Sequence, residues 1–344
     1  MEKIGVVIIG YGYWGPNLAR NIALNPHFNL LAIVDQDEER QEKAKETFGV
    51  KVFGSHLELD LEMTINLVII CTRPGSHRVL ATYFIDLGCH ILITKPCGLS
   101  SQDSNDIAIA AERNAVKVFC DFTYFYSPLI KFLQEDLLAQ EIVKEMHEFT
   151  SYRTSLGIIQ ADTDVLADLA VHDLNILQLL KGSPPLEVSC LRTNHPARGN
   201  LSSAILRLTW EDGFTASIHV SWNSPKKVRF MSLIGKNKAI LIEEMNRETP
   251  IQIVHFKPEG ESYEHLTNSE KITRNVSYVM GEVIAPKVEM FEALAKEVDV
   301  IGRILTSNDQ RDPVSTIADA YSVWVVIEAL RISDQFRGEP QYVR

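Results

Sequence analysis

Apolar and polar positions change their period once along this chain, near residue 121. Before that point, short continuous apolar runs alternate with segments whose apolar residues recur every three or four positions. The runs at 4–9, 28–34, 66–71, 89–93 and 116–120 read as buried strands, and the segments near 15–25, 37–48, 76–87 and 100–113 read as helices. Such alternation predicts a doubly wound parallel sheet with helices on both faces. After Asp121 the pattern changes to helical segments at 128–138 and 163–180 and β-rich runs at 146–153, 187–194, 201–210, 214–222, 228–235, 239–244 and 251–256. Ser203 to Trp210 alternates in sidedness, and Asp212-Gly213 marks a hairpin turn, so these runs predict a large, mostly antiparallel open sheet. Residues 259–283 read as a polar excursion, and helical patterns return at 285–305 and 314–334. The expected division is an α/β domain over 1–121 and an α+β domain over 122–344, the last helix completing the second or packing back on the first.

The first apolar run ends in Gly10-Tyr-Gly12-Tyr13-Trp14-Gly15, with a helical segment directly after it. In a strand–turn–helix of this kind the first glycine makes the tight turn, the second lets backbone approach a pyrophosphate, and the third packs helix on strand. The helix N-terminus adds free N–H groups and partial positive charge. The second strand ends in Asp35, twenty residues after Gly15, where a carboxylate accepts hydrogen bonds from an adenosine ribose. Dinucleotide binding is the expectation. Asp35 opposes a 2′-phosphate, and Gln36 to Glu39 supply no cation, so NAD is favoured over NADP.

Composition narrows the partners. A net charge of −11 with no offsetting basic cluster excludes a nucleic-acid partner. No apolar run reaches the ~18 residues of a membrane span, and a soluble, cytoplasmic protein is expected. The five cysteines form no Cys-x-x-Cys pair, so reduced thiols are expected and no metal site.

Three further constellations carry chemistry. Cys71-Thr72-Arg73-Pro74-Gly75-Ser76-His77 follows the third of these strands, on the sheet edge where ligands bind; Thr72, Arg73 and His77 are cofactor candidates, although the segment also reads as a capped loop. Thr94-Lys95-Pro96 ends the next strand, so Lys95 faces the same edge and suits the oxygen that changes oxidation state. Asp168, His172 and Asn175 fall at i, i+4 and i+7 of one helix, beside its apolar stripe. Histidine accepts a proton near neutrality and a carboxylate one turn away can hold its tautomer, but an ordinary Asp–His surface pair looks the same.

Together with Asp121-Phe-Thr-Tyr124, Tyr152-Arg153-Thr-Ser-Leu-Gly157 and Val220-Ser-Trp-Asn-Ser-Pro225, these residues resemble the Gfo/Idh/MocA oxidoreductases, in the branch acting on nucleotide-linked sugars. The resemblance implies NAD-linked hydride transfer at a ring secondary alcohol, most simply the 3-position of a hexose. Lys95 takes the place of the motif lysine, and Asp168 and His172 those of the paired Asp-x-x-x-His. It also implies a homodimer or homotetramer formed through the second-domain sheet. Arg153 is a candidate for substrate phosphate or hydroxyls, or a strand-end salt bridge; Tyr124 and Asn175 line the sugar pocket or pack. Thr94 stands where the family carries glutamate. The rival expectations are oxidation of a free cyclitol or monosaccharide, and a catalytically silent NAD-binding sensor.

Overall fold

A computed structural model of the chain describes residues 3–59, 63–138, 142–157, 163–194, 201–259, 277–307, 309 and 311–343. Six parallel strands, β1 (Ile4–Ile9), β2 (Phe28–Val34), β3 (Lys51–Phe53), β4 (Leu67–Ile70), β5 (His90–Thr94) and β6 (Val118–Asp121), are arranged in the order β3-β2-β1-β4-β5-β6. Helices α1 (Gly15–Leu24), α2 (Glu38–Phe48), α3 (His77–Asp86) and α4 (Ser101–Arg113) connect them. Every residue of β1 and β4 is buried, as a strand covered on both faces requires. The strand order reverses between β1 and β4, which opens a crevice at their C-terminal ends. The short β3 has no apolar run of its own and was not legible in the pattern.

The second sheet has nine strands in the order β14-β13-β12-β11-β7-β10-β9-β8-β15. They are β7 (Met146–Leu156), β8 (Glu187–Asn194), β9 (Leu201–Thr209), β10 (Thr215–Ser221), β11 (Asn223–Gly235), β12 (Lys238–Glu243), β13 (Ile251–Pro258), β14 (Tyr278–Ile284) and β15 (Gln341–Tyr342). Only β7 and β10 pair in parallel. Cys190, Leu206, Ile218, Ser151 and Met231 are successive cross-strand partners and all are buried. They form the inner face, against α6 (Val171–Lys181), which follows the short α5 (Pro128–Phe132) in the chain, and its neighbours.

Two expectations are corrected. Of the excursion expected over 259–283, residues 260–276 lie outside the described residues, and Tyr278–Ile284 form the edge strand β14. Its seven residues are all exposed, so no alternation announced it. The helix expected from 285 begins instead at Ala293, and residues 285–292 run up to it without regular structure.

The last two long helices, α7 (Ala293–Ser307) and α8 (Ile317–Gln335), pack back on the first domain. Ahead of α7, Glu292 bonds Arg20 (2.5 Å) and Asn21 (3.1 Å) of α1. In α8, Glu328 accepts from Ser101 N (2.8 Å) and Oγ (2.7 Å) at the start of α4. Among the described residues, no helix is long and apolar enough to cross a membrane. All five cysteines are free thiols.

Candidate active site

The glycine loop is shaped for an anion. Gly10 holds φ +96°, and a Cβ there would fall 2.7 Å from the Cys71 carbonyl; on Gly15 it would fall 2.3 Å from that of Gly10. On Gly12 a Cβ would meet only Arg40 Nη1, at 3.6 Å, so the space above the loop is open. No described residue accepts from the N–H groups of Gly12, Tyr13 or Trp14, which leaves them for the pyrophosphate at the start of α1. Asp35 is buried at the tip of β2, its carboxylate pinned by Tyr11 N (2.6 Å) and Asp37 N (3.0 Å). These features fit NAD. The turn into α2 also brings Arg40 Nη1 to 3.8 Å from Asp35 Oδ2, a cation just beyond the four uncharged or acidic residues after Asp35.

Two of the expected cofactor contacts turn inward. His77 is fully buried, its ring nitrogens 3.1 Å from Pro96 O and 2.9 Å from Thr72 O, so it ties two loops together instead of facing the crevice. Thr94 Oγ1 donates to Ile70 O (3.1 Å) and is buried. Thr72 Oγ1 lies 2.7 Å from Ser76 Oγ, while Arg73 and Tyr13 stay exposed.

Lys95 leaves the end of β5 and spans to the second domain. Its Nζ donates to Asp168 Oδ1 (2.8 Å) and to the Asp168 carbonyl (2.9 Å). Trp222 Nε1 donates to the other carboxylate oxygen (2.8 Å). Asp168 therefore holds the lysine, not the imidazole, and the expectation that it fixes the His172 tautomer is corrected. The cause is local: a π-helical turn over Leu166–Ala170 precedes α6, so a four-residue spacing no longer stacks the two side chains.

His172 is held by packing. Its ring lies 4.6 Å from that of Tyr124, and its Nδ1 is buried with no partner among the described residues. Burial, and then the cations Lys95, Arg153 and Arg229, push its pKa well below the ordinary 6.5, so the ring is neutral at pH 7.

Arg153, on β7, is only 2% exposed and forms a two-point ion pair with Asp173 (Nε–Oδ2 3.0 Å, Nη2–Oδ1 2.9 Å). Nη2 also lies 3.6 Å from Glu244 Oε1, and the guanidinium rests 4.3 Å over the Tyr124 ring. Burial opposes its charge, but Asp173, Tyr124 and Glu244 more than offset this and its pKa is raised. Of the two readings of Arg153, the structure gives the salt bridge. Its guanidinium props Tyr124, and Tyr124 props His172. Asn175 is buried one turn beyond His172, with Oδ1 unpartnered among the described residues. Sequence reasoning missed Trp222, Arg40 and Glu244 as contributors. Only Trp222 left a trace, in the Val220-Ser-Trp-Asn segment.

Comparison with known proteins decides the family. Residues 4–122 match the NAD-binding Rossmann-fold model of the GFO/IDH/MocA oxidoreductases, and residues 159–241 match the C-terminal domain model of the same family. The chain belongs to the GFO/IDH/MocA family. It is an NAD-binding oxidoreductase of that family. It is 23% identical over 240 residues to a UDP-N-acetylglucosamine 3-dehydrogenase of Acidithiobacillus ferrooxidans, covering 70% of this chain and 74% of the relative. It is 24% identical over 233 residues to a D-apiose dehydrogenase of Paraburkholderia graminis, covering 65% of this chain but only 62% of that relative. GenD2 from gentamicin A biosynthesis, solved in complex with NAD, shares the fold with a TM-score of 0.81 at 19% identity, over 100% of this chain and 97% of its own.

Cofactor choice is testable on the free protein. The buried Asp35 carboxylate repels a 2′-phosphate, so NAD should bind more than ~10-fold tighter than NADP. In Asp35→Ser, Arg40 is already at hand for that phosphate, and the gap should close to within about threefold. Fluorescence titration of both cofactors measures it; an unchanged ratio in the variant removes Asp35 from the discrimination.

Proposed function

We propose that this protein is an NAD-dependent dehydrogenase or ketoreductase acting on a ring secondary alcohol or ketone of a sugar, specifically a nucleotide-linked hexose at its 3-position. One observation carries the reaction type. A neutral histidine with an unpartnered, buried Nδ1 stands beside a lysine fixed at the C-terminal edge of the NAD-binding sheet. NAD, when bound, supplies the acceptor or donor of hydride. His172 takes the hydroxyl proton as the carbon loses hydride, and returns it in the reverse direction. Lys95 has three N–H donors, two of them given to Asp168. The third is left for the oxygen that becomes the carbonyl. Trp222 and Asp168 keep that ammonium in place.

Support for a nucleotide-linked substrate comes from the first relative and from β11. Lys226 and Lys227 are exposed there, and Arg229 donates only to the main-chain carbonyls of Thr154 (3.0 Å) and Val228 (2.8 Å) among the described residues. Each charge-assisted phosphate contact adds ~1.5–3 kcal/mol. The second relative favours the alternative, a free monosaccharide or cyclitol, as does the neutralisation of Arg153 by Asp173.

The outer face of the second sheet supports self-association. Leu191, Ile205, His219, Tyr152 and Phe230 are successive cross-strand partners over five strands. Leu191 is 60%, Ile205 55% and Tyr152 43% exposed. A largely apolar exposed stripe of this kind supports a homodimer or homotetramer through this sheet.

Four outcomes are expected. The kcat/KM for alcohol oxidation should rise with pH with a midpoint below 6.5 and be flat from pH 7 to 8, because only the neutral His172 accepts a proton. His172→Ala should remove that limb and lower turnover by ~10²–10⁴ with NAD affinity nearly unchanged; full activity would discard the base. In calorimetry with NAD present, UDP and a UDP-hexose should bind more tightly than the free sugar, and the opposite order selects the cyclitol or monosaccharide reading. Sedimentation velocity should show an oligomer that Ile205→Glu converts to monomer; a monomeric wild type would reject the interface.

A further inference from the structure

A polar chain unused by this chemistry crosses from the second half of the sequence to the cofactor loop. Asp121 closes β6, in register with Thr94 beside Lys95, and is buried. Both its carboxylate oxygens meet donors: Trp14 Nε1 donates to Oδ2, and Thr123 Oγ1 donates to Oδ1 at 2.6 Å. Glu297, on α7, is 0% exposed, and its carboxyl faces that of Asp121, both of its oxygens buried without a hydrogen-bond donor among the described residues.

Two touching, buried carboxyls cannot both ionise. The donors assign the charge. Asp121 receives two hydrogen bonds and is the better carboxylate, with Lys95 adding attraction, whereas Glu297 has no donor and keeps the shared proton. The other groups facing the pair are Cys97 and, held neutral at pH 7 by burial, Cys71, Cys120 and Tyr126. Trp14 is the residue immediately before α1, in the segment whose N–H groups face the pyrophosphate site. The same end of the C-terminal half grips α1 again, through Glu292 to Arg20 and Asn21.

We infer that Glu297 is a positioning residue that works as a protonated hydrogen-bond donor, holding the NAD-binding loop in its receptive pose through Asp121 and Trp14. Its role is in cofactor binding, so it stands or falls apart from the identity of the sugar. Burial pushes the Glu297 carboxyl well up from its ordinary range, with Asp121 adding to the shift. An acid kept neutral in the fold but ionised when unfolded weakens stability as pH climbs from the ordinary glutamate value towards the folded one.

The test uses the whole protein and NAD affinity, read by calorimetry. Glu297→Gln keeps a donor towards Asp121 at every pH. It should bind NAD within about twofold of wild type at pH 7 and gain in Tm over wild type as pH rises. Glu297→Leu and Trp14→Phe each break the chain and should weaken NAD about 10-fold, with the double variant no weaker than either single one. If Glu297→Gln weakens NAD as much as Glu297→Leu, the residue is needed as an anion and the inference fails. It fails equally if Glu297→Leu binds NAD like wild type, or if the Leu and Phe effects simply multiply. Should Glu297→Leu not fold, Glu297→Gln decides alone at pH 7: NAD binding within about twofold of wild type upholds the donor, and a loss near 10-fold overturns it.

Discussion

One ammonium group joins the two halves of the proposed reaction centre. Lys95 stands at the end of a strand in the nucleotide-binding sheet, and its partner Asp168 stands on the turn that leads into the first long helix of the other domain. The pair is short, partly buried and doubly made, to a side chain and to a main-chain carbonyl. It therefore fixes orientation as well as charge. It is one of the contacts that set α6, His172 included, relative to the cofactor loop.

A second network supports the first from the opposite side. Arg153, Asp173 and Glu244 form a buried cluster in which no charge is left alone, the condition under which such groups are tolerated in an interior. Its product is mechanical: a guanidinium plane supports an aromatic ring, and that ring supports the imidazole. A histidine placed by stacking keeps its buried Nδ1 without a partner among the described residues. That suits the role of proton acceptor and donor proposed for it.

Much of this was legible in the residues. Gly10, Gly12, Gly15 and Asp35 announce their roles because backbone clearance and a ribose contact depend on a local, contiguous pattern. Most strands of both sheets fall within a few residues of their apolar runs for the same reason. What the pattern could not carry are the partners of polar side chains. Trp222 reaches Asp168 across 54 positions, and no spacing rule connects them. Asp168 was matched to His172 because a four-residue interval implies adjacency only on an α-helix, and the chain inserts a π turn there. Glu244 and Glu297 look like any surface glutamate until the fold closes around them.

The return of the C-terminal helices has a consequence for how the chain acquires its shape. The outer edge of the first sheet, β6, is covered by residues 315–316, where Cys120 N donates to Ser315 O (3.1 Å) and Phe119 pairs with Thr316. During synthesis, that edge emerges almost two hundred residues before the segment that covers it, and Arg20 on α1 emerges 272 residues before Glu292. Contacts this distant in sequence are slow to form, and an uncovered strand edge is a template for mispairing. The nucleotide-binding half is thus the first to be made and among the last to be finished. Its folding is tied to the arrival of the far end of the polypeptide, and a ribosome-bound fragment ending at β6 is the stage most exposed to aggregation.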